Sequence, residues 1–197
     1  MYHPHPRFIL ASASPRRREL LTRAGYEFDV ITADVDERPL DGEPPRDFVC
    51  RVAMDKADAV VAAVVDVEGA GDRIVLAADT IVFIDGEILG KPRDLRHASS
   101  MLRCLSGRVH EVLTGVAVVR GTARRNVVET TRVSLVELAE STIDWYLSTG
   151  EANDKAGAYG VQGVASRFVD RIDGSYTNVV GLPMARVDQL LREFDHQ

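Results

Sequence analysis

The feature that most constrains the fold is a run of apolar and mostly β-branched residues from Ile74 to Ile84, which a single carboxylate, Asp79, interrupts. Continuous apolar runs of this kind are typical of strands that are buried on both faces. Strands buried in this way must be covered by other secondary structure on each side. The run therefore predicts buried strands at the centre of the fold.

The segments around this run alternate between helix-like and strand-like patterns. Helix-like segments carry apolar residues at helical spacing and are bounded by capping residues such as Ser14, Pro15 and Gly25, whereas strand-like segments are short and apolar. This alternation predicts an α/β fold with helices flanking the sheet. The predicted helices span residues 15–24, 46–64, 94–105, 141–149 (capped by Ser141) and 183–194, and the predicted strands span residues 8–11, 28–32, 109–119 and 127–138 besides the central run, with a hairpin at Asp85-Gly86.

Length and composition narrow the class of protein. A chain of 197 residues suits one domain, 1–197, with residues 1–7 as a flexible tail. The net charge of −6 argues against general nucleic-acid binding, which depends on Lys and Arg contacts to phosphates. Cys50 and Cys104 lie in no disulfide or zinc pattern, and no apolar run is long enough to span a membrane. These features predict a soluble, cytoplasmic protein.

Three arginines, Arg16 to Arg18, lie at the start of the first predicted helix. The amino end of a helix already carries partial positive charge, so cations there repel it and one another. An anion bound by the backbone N–H groups and an arginine would reverse this repulsion, and the small residues Ser12 to Ser14 would let a phosphate approach. The alternative is that the arginines are solvated surface charges.

Asp79, Lys56 and Lys91 are charged residues at positions where the local sequence pattern calls for an explanation. A carboxylate inside an apolar run could face a cleft and bind a divalent metal or act as a base, or it could lie in a turn between two strands. Lys56 lies between Val52 and Val60 on the apolar stripe of its helix, so it either snorkels outward or reaches an anion. Lys91 lies in Gly90-Lys-Pro92, either as a surface lysine or as a phosphate ligand.

Taken together, Arg17, Lys56 and Lys91 could hold a polyphosphate while Glu37 and Asp79 hold a metal, which is the charge placement that phosphoryl chemistry requires. The sequence has no P-loop, Rossmann, G-x-S-x-G or HExxH motif, so the corresponding enzyme classes are excluded. His110 is an isolated histidine in a strand-like run and is interpreted as structural rather than catalytic.

Six motifs in order resemble the Maf family over the chain from Phe8 onward. The motifs are Ser12-Ala-Ser-Pro-Arg-Arg-Arg-Glu-Leu-Leu21, Ala77-Ala-Asp-Thr-Ile-Val82, Gly90-Lys-Pro92, Leu105-Ser-Gly107, Asp154-Lys-Ala-Gly-Ala-Tyr-Gly-Val-Gln-Gly163 and Gly174-Ser-Tyr-Thr-Asn-Val-Val-Gly-Leu-Pro183. The resemblance implies a single α/β domain with a mixed, strongly twisted sheet, similar to that of the house-cleaning pyrophosphatases. It also implies hydrolysis of nucleoside triphosphates to the monophosphate and pyrophosphate. Ala152 departs from the family, in which many members have proline.

The resemblance also implies the site residues. Asp79 would be the catalytic acidic residue, while Ser12, Arg17, Glu37, Lys56 and Lys91 would serve the phosphates and a Mg²⁺ or Mn²⁺ ion, with Asp79 and Glu37 as metal ligands. Arg17, Thr80 and Gln162 match the subgroup that acts on dTTP and UTP. The amide of Gln162 can both donate to and accept from a pyrimidine edge, although in a Gly-rich loop it could equally cap its own backbone.

Several alternatives stay open at this stage. Modified pyrimidine triphosphates are further candidate substrates, and the second bacterial subgroup prefers 7-methyl-GTP. A non-enzymatic, nucleotide-binding regulator of cell division is the alternative from another class. The expected partner is a nucleoside triphosphate, without nucleic acid or membrane, and the family resemblance implies a homodimer.

Overall fold

The computed structural model describes residues 7–64 and 72–195, and within them helices flank one mixed sheet. Seven strands of the described residues form this sheet in the order β2-β1-β3-β5-β6-β7, with β4 paired to β3. The strands are β1 (Phe8–Leu10), β2 (Phe28–Val30), β3 (Val75–Ile84), β4 (Glu87–Leu89), β5 (Val109–Arg120), β6 (Ala123–Leu135) and β7 (Val169–Asp173). The helices are α1 (Pro15–Arg23), α2 (Pro45–Val64), α3 (Leu95–Leu105), α4 (Glu140–Ser148), α5 (Tyr176–Val180) and α6 (Met184–Asp195).

The pairing of the strands makes the sheet mixed. Strand β1 pairs in parallel with both β2 and β3, whereas β3 pairs antiparallel with β4 and β6 pairs antiparallel with β7. The β3–β4 hairpin turns at Asp85-Gly86, whose two φ angles are both positive, as the sequence predicted. The predicted α/β class with a mixed sheet is confirmed.

The chain divides into two compact units. Unit 1 comprises the described residues of Met1–Asp79, Thr114–Glu129 and Gly181–Gln197, and unit 2 comprises Thr80–Leu113 and Thr130–Val180. The predicted single domain 1–197 stays a prediction. Of the predicted tail, residues 1–6 lie outside the described residues, and the guanidinium of Arg7 contacts the carboxylate of Asp29.

The core of unit 1 covers both faces of β1, whose residues are fully buried. Phe8 and Leu10 pack in one cluster with α6, and Ile9 packs in another with Ala53 and Val60 of α2. Successive strand residues point to opposite faces, so a strand covered on both sides must be apolar throughout. The predicted apolar stripe of α2, which includes Phe48 and Val52, is buried.

The α2 helix also lies very close to β5 in unit 1. A Cβ atom built on Gly115 would lie 2.2 Å from the carbonyl oxygen of Val49. Only a residue without a side chain fits at this point, so Gly115 sets the distance between α2 and the sheet. Because α2 carries Lys56, this contact also limits the distance between the backbone of Lys56 and the sheet.

The core of unit 2 packs α3 and α4 against residues of β3 and β6. The predicted cap of α4 at Ser141 was wrong, because α4 begins at Glu140 and has Ala139 at its N-cap position. The carboxylate of Glu140 lies in the first turn, where it interacts favourably with the partial positive charge of the helix amino end. It also pairs with Arg103 at 2.7 Å.

Candidate active site

Asp79 lies in the interior of β3, as the fifth of its ten residues, and is 8% exposed. The alternative that it occupies a turn between two strands is therefore wrong. Ala77 and Ala78 beside it are fully buried. A carboxylate so placed would be strongly destabilised by desolvation unless a cation lay within contact distance.

Lys56 supplies this cation. Its Nζ lies 2.8 Å from Oδ1 of Asp79 and 2.7 Å from Oε1 of Glu37. Its side chain is only 14% exposed, so it does not extend outward into solvent. Of the two alternatives for a lysine on the apolar stripe, the structure has the one in which the ammonium meets an anion, and the anions are two carboxylates of the protein itself.

Glu37 comes from the long segment between β2 and α2, in which the structure has neither helix nor strand. Its side chain is 50% exposed, unlike that of Asp79. Lys56 thus joins a carboxylate fixed in the sheet to a carboxylate on a surface loop. The sequence alone could not establish this contact, because loop, helix and strand meet only in the folded unit.

Arg17 and Ser12 lie together at the start of α1, and both are buried. Nη1 of Arg17 donates to Oγ of Ser12 at 3.0 Å and to the carbonyl of Ala78 at 2.7 Å, and its Nε donates to the carbonyl of Gly181 at 2.8 Å. Ser14 has the N-cap position, but its side chain makes no capping bond, and its backbone N–H donates to Oγ of Ser12 at 3.3 Å. Arg17 therefore ties α1 to the residue that precedes Asp79.

Burial lowers the pKa of the Arg17 guanidinium. The negative charges of Asp79 and, to a smaller extent, Glu37 raise this pKa and so oppose the effect of burial. The guanidinium stays charged at neutral pH, since its ordinary pKa is far above it. Arg17, Lys56, Glu37 and Asp79 carry formal charges that cancel. A triphosphate that binds beside them would bring negative charge without a counterion, unless a further cation comes with it.

The donor set fits such a cation. Among residues 7–64 and 72–195, no group of three or more His, Cys, Asp or Glu side chains converges as a complete metal site. However, Glu37 and Asp79 already meet at one positive charge, the Lys56 ammonium. Mg²⁺ is commonly held by one or two carboxylates, with substrate phosphates and water completing its shell. Two carboxylate donors are consistent with this mode of binding.

The three remaining predicted residues lie in unit 2. Thr80 is half-buried in β3, and Lys91 and Gln162 are exposed. Val82 pairs with Leu89 at the end of β4, and Lys91 follows this last pair of the β3–β4 hairpin by two residues. The carbonyl of Gly90 accepts the N–H of Gly157 at 3.1 Å, which joins two of the sequence motifs.

His110 is buried in unit 2, where its ring contacts the ring of Tyr159. Its Nε2 lies 2.6 Å from the hydroxyl of Tyr159, and its Nδ1 has no hydrogen-bond partner among the described residues. Burial lowers the pKa of His110 to about 4. The ring is therefore neutral near pH 7 and packs against Tyr159, which is consistent with the structural role that the sequence suggested.

Two groups of the site were not predicted from the sequence. They are the carbonyl groups of Ala78 and Gly181, which hold Arg17. Both residues lie inside the motifs quoted above, but a backbone carbonyl carries no side-chain signal. Gly181 is separated from Arg17 by 164 positions, and no local pattern in the sequence joins them.

Comparison with known proteins gives a consistent result. The sequence model of the family described as Maf-like protein matches residues 7–194. A dTTP/UTP pyrophosphatase of Anaeromyxobacter dehalogenans (strain 2CP-C) is 53% identical over 191 residues, which cover 95% of this chain and 93% of the relative. A dTTP/UTP pyrophosphatase of Vibrio cholerae is 47% identical over 188 residues, covering 95% of this chain and 98% of the relative. One of Symbiobacterium thermophilum is 50% identical over 188 residues, covering 95% and 94%.

Proposed function

Because the chain belongs to the Maf family, we propose that it is a nucleoside triphosphate pyrophosphatase that hydrolyses dTTP and UTP to the monophosphate and pyrophosphate. Relatives with that name share about half of its residues over nearly the whole chain. The structural observation that carries the proposal is the contact of Lys56 with both Asp79 and Glu37. This cluster combines a carboxylate that can accept a proton with charges that can bind a metal–triphosphate complex.

Asp79 acts as the proton acceptor in this proposal. It accepts the proton of the water that attacks the α-phosphorus, as the bond between that phosphorus and the leaving pyrophosphate breaks. Its position inside a strand holds the carboxylate rigidly, since both neighbouring backbone units belong to the sheet. Lys56 offsets the cost of burying the Asp79 carboxylate, because its ammonium lies 2.8 Å from that group.

A divalent cation, Mg²⁺ or Mn²⁺, would be held by Asp79 and Glu37, and when bound it would supply Lewis-acid neutralisation of phosphate charge. The Lys56 ammonium, which lies between the same two carboxylates, can donate to phosphate oxygens of a bound triphosphate. Glu37 lies on a loop, so its side chain can adjust without distortion of the sheet.

Arg17 and Ser12 serve the phosphates in two ways. Oγ of Ser12 accepts hydrogen bonds from Arg17 and from the backbone of Ser14, so its own proton can be donated to a phosphate oxygen. Arg17 holds the backbone at Ala78, beside the catalytic residue, and lends positive charge. Direct contact of Arg17 with the substrate stays a prediction from the family resemblance.

Base selection is assigned to Thr80 and Gln162, and phosphate binding to Lys91, by the same resemblance. The exposed amide of Gln162 can donate to one group of a pyrimidine edge and accept from another. A hydrogen-bonded edge discriminates strongly, because the wrong base leaves polar groups unpaired. Modified pyrimidine triphosphates that keep this edge are further candidate substrates.

The proposal also includes a cytoplasmic enzyme that forms a homodimer and does not bind nucleic acid. Among the described residues, the structure has no helix that is both long and apolar enough to cross a membrane. Light scattering coupled to size-exclusion chromatography tests the dimer. A mass equal to that of one chain at micromolar concentration would exclude it.

A substrate panel tests the function. Pyrophosphate release is measured with Mg²⁺ and with Mn²⁺ on dTTP, UTP, dGTP, dATP, CTP, 7-methyl-GTP and modified pyrimidine triphosphates. We expect dTTP and UTP to have the highest kcat/KM. A preference for 7-methyl-GTP would reassign the chain to the other subgroup, and no release from any nucleotide, despite nucleotide binding, would favour a regulator.

A further inference from the structure

A β-turn over residues 160–163 presents Gln162 on the surface of unit 2. The N–H of Gly163 donates to the carbonyl of Gly160 at 3.3 Å, so Gln162 is the third residue of the turn. An exposed side chain on a turn is positioned only as firmly as the ends of that turn are fixed. Glu151 contacts the end that follows the turn, and Lys155 contacts the end that precedes it.

The carboxylate of Glu151 fixes the end that follows the turn. Its Oε2 accepts the N–H of Val164 at 2.8 Å, and its Oε1 accepts the N–H of Ala165 at 3.3 Å. These are the first two N–H groups of the 3₁₀ helix Val164–Phe168, and such groups have no acceptor within their own helix. A carboxylate satisfies them with charge-assisted hydrogen bonds. Glu151 thus caps a helix that begins 13 residues after it.

Tyr146 supports the carboxylate of Glu151. Its side chain is fully buried, and its hydroxyl donates to Oε1 of Glu151 at 3.4 Å. Burial and the nearby Glu151 charge raise the pKa of the Tyr146 phenol, so it stays protonated and remains a donor at neutral pH. The stem of Lys155 packs on the end that precedes the turn, since a Cβ built on Gly160 would lie 2.6 Å from its Cδ.

Gly163 leaves room for the carboxylate. A Cβ atom built on Gly163 would lie 2.2 Å from Oε2 and 2.3 Å from Cδ of Glu151. Any larger residue at this position would push the carboxylate away from Val164 and Ala165 or displace the turn. Glu151 and Gly163 therefore fit together as a pair, with the carboxylate packed directly on the turn that carries Gln162.

We propose that Glu151 is a positioning residue for base selection, because it holds the 160–163 turn so that the amide of Gln162 is presented in one orientation. The inference rests on the proposed function, in which Gln162 contacts the base. Without the carboxylate the turn samples several arrangements. The apparent affinity for the preferred base is then multiplied by the fraction of molecules in which the turn keeps the competent arrangement.

The test compares dTTP with dGTP, which share the triphosphate and the sugar and differ in the base. The quantity measured is the ratio of their kcat/KM values for wild type, Glu151→Ala, Glu151→Gln and Gln162→Ala. We expect Glu151→Ala to lower the ratio about tenfold, through KM for dTTP and with kcat nearly unchanged, which corresponds to a turn that is competent about one-tenth of the time. Glu151→Gln keeps one acceptor and should have an intermediate ratio. Asp170→Ala, which removes an exposed carboxylate from β7, is the control and should stay within about twofold.

Two further measurements separate positioning from a loss of fold. Amide hydrogen exchange should accelerate at Val164 and Ala165 in Glu151→Ala, while exchange in β3 is unchanged. Gly163→Ala should lower the ratio as well, since its methyl group meets the carboxylate. In the Glu151→Ala background the same change should add little, because the group that it collides with is gone. If Glu151→Ala does not fold, Glu151→Gln and Gly163→Ala carry the test.

The outcomes distinguish this inference from the proposed function. If wild type releases no pyrophosphate from dTTP, the proposed function fails, and the inference fails with it. If Gln162→Ala keeps the wild-type ratio, the turn does not select the base, and the inference is overturned while the activity stands. If Gln162→Ala lowers the ratio but folded Glu151→Ala and Glu151→Gln do not, Glu151 has only a structural role.

Discussion

Replacement of Lys56 by methionine isolates the electrostatic role of the lysine in the candidate site. Methionine has a similar length and an apolar stem, so the packing of α2 changes little while the ammonium is lost. The change leaves Asp79 inside β3 without the cation that lies 2.8 Å from it. We expect a large loss in the free energy of unfolding at pH 7.

The magnitude follows from the exposure of the partners. Loss of one member of a buried ion pair costs about 3–5 kcal/mol, because the other charge stays buried without compensation. The side chains of Lys56 and Asp79 are 14% and 11% exposed, so we take the lower end, about 3 kcal/mol. Glu37 is 50% exposed, and its contact adds at most about 0.5 kcal/mol. At roughly 2–4 °C per kcal/mol for a chain of this size, Tm should fall by about 9 °C.

The assay is urea denaturation followed by circular dichroism, for Lys56→Met, Asp79→Asn and the double variant. In the Asp79→Asn background, Lys56→Met removes a hydrogen bond to a neutral group and the half-exposed contact with Glu37, and it should cost about 1 kcal/mol. The coupling energy between the two positions should therefore be about 2 kcal/mol. Lys91→Met removes an exposed lysine and is the control, with an expected change within about 0.5 kcal/mol.

A loss of less than about 1 kcal/mol in Lys56→Met, or a coupling energy near zero, would refute the reasoning. Either result would mean that Asp79 is stabilised by groups other than the lysine. The assignment of Lys56 as the residue that compensates the buried charge of Asp79 would then have to be abandoned.

Three further predictions test the rest of the molecule. Asp79→Asn should lower kcat for dTTP by about a thousandfold or more while circular dichroism stays that of wild type, because the amide cannot accept the water proton; wild-type turnover would end its assignment as the base. His110 stays neutral when buried, with its pKa lowered to about 4, whereas the unfolded chain binds a proton below about 6.5. Stability should therefore fall by about 3 kcal/mol as pH drops from 6.5 to 4, and His110→Phe should remove this slope from urea midpoints measured across that range. Gly115→Ala should lower the free energy of unfolding by about 3 kcal/mol or more, since its Cβ would lie 2.2 Å from the carbonyl oxygen of Val49; Gly90→Ala, which meets nothing within 4 Å, is the matched control, and equal losses in both would contradict the close contact.

The sequence predicted the elements that depend on local patterns. The helix start at Ser14-Pro15 and its end before Gly25 were read from capping residues, and in the structure Tyr26 N–H bonds to Leu21 carbonyl as a helix terminus of this kind requires. The buried run from 74 to 84 is the strand β3. These features follow from short-range chemistry, in which each residue acts on neighbours within one turn or one strand.

Local patterns were less reliable where a distant partner competes. Ser141 is a good capping residue, yet α4 begins at Glu140, whose carboxylate pairs with Arg103, 37 positions away. Likewise, the apolar run with one carboxylate was compatible with a turn at Asp79. A continuous strand is stable there only because a lysine from another element neutralises the charge.

Local patterns in the amino-acid sequence establish the α/β class and the apolar faces, and the family motifs indicate the side chains suited to phosphoryl chemistry. The contacts of those side chains depend on the three-dimensional fold. It directed Lys56 to two carboxylates, bound Arg17 to the carbonyls of Ala78 and Gly181, and set Glu151 on the turn of Gln162. The physical reason is that hydrogen bonds and ion pairs act over a few ångströms in space, whereas sequence patterns report only on neighbours along the chain.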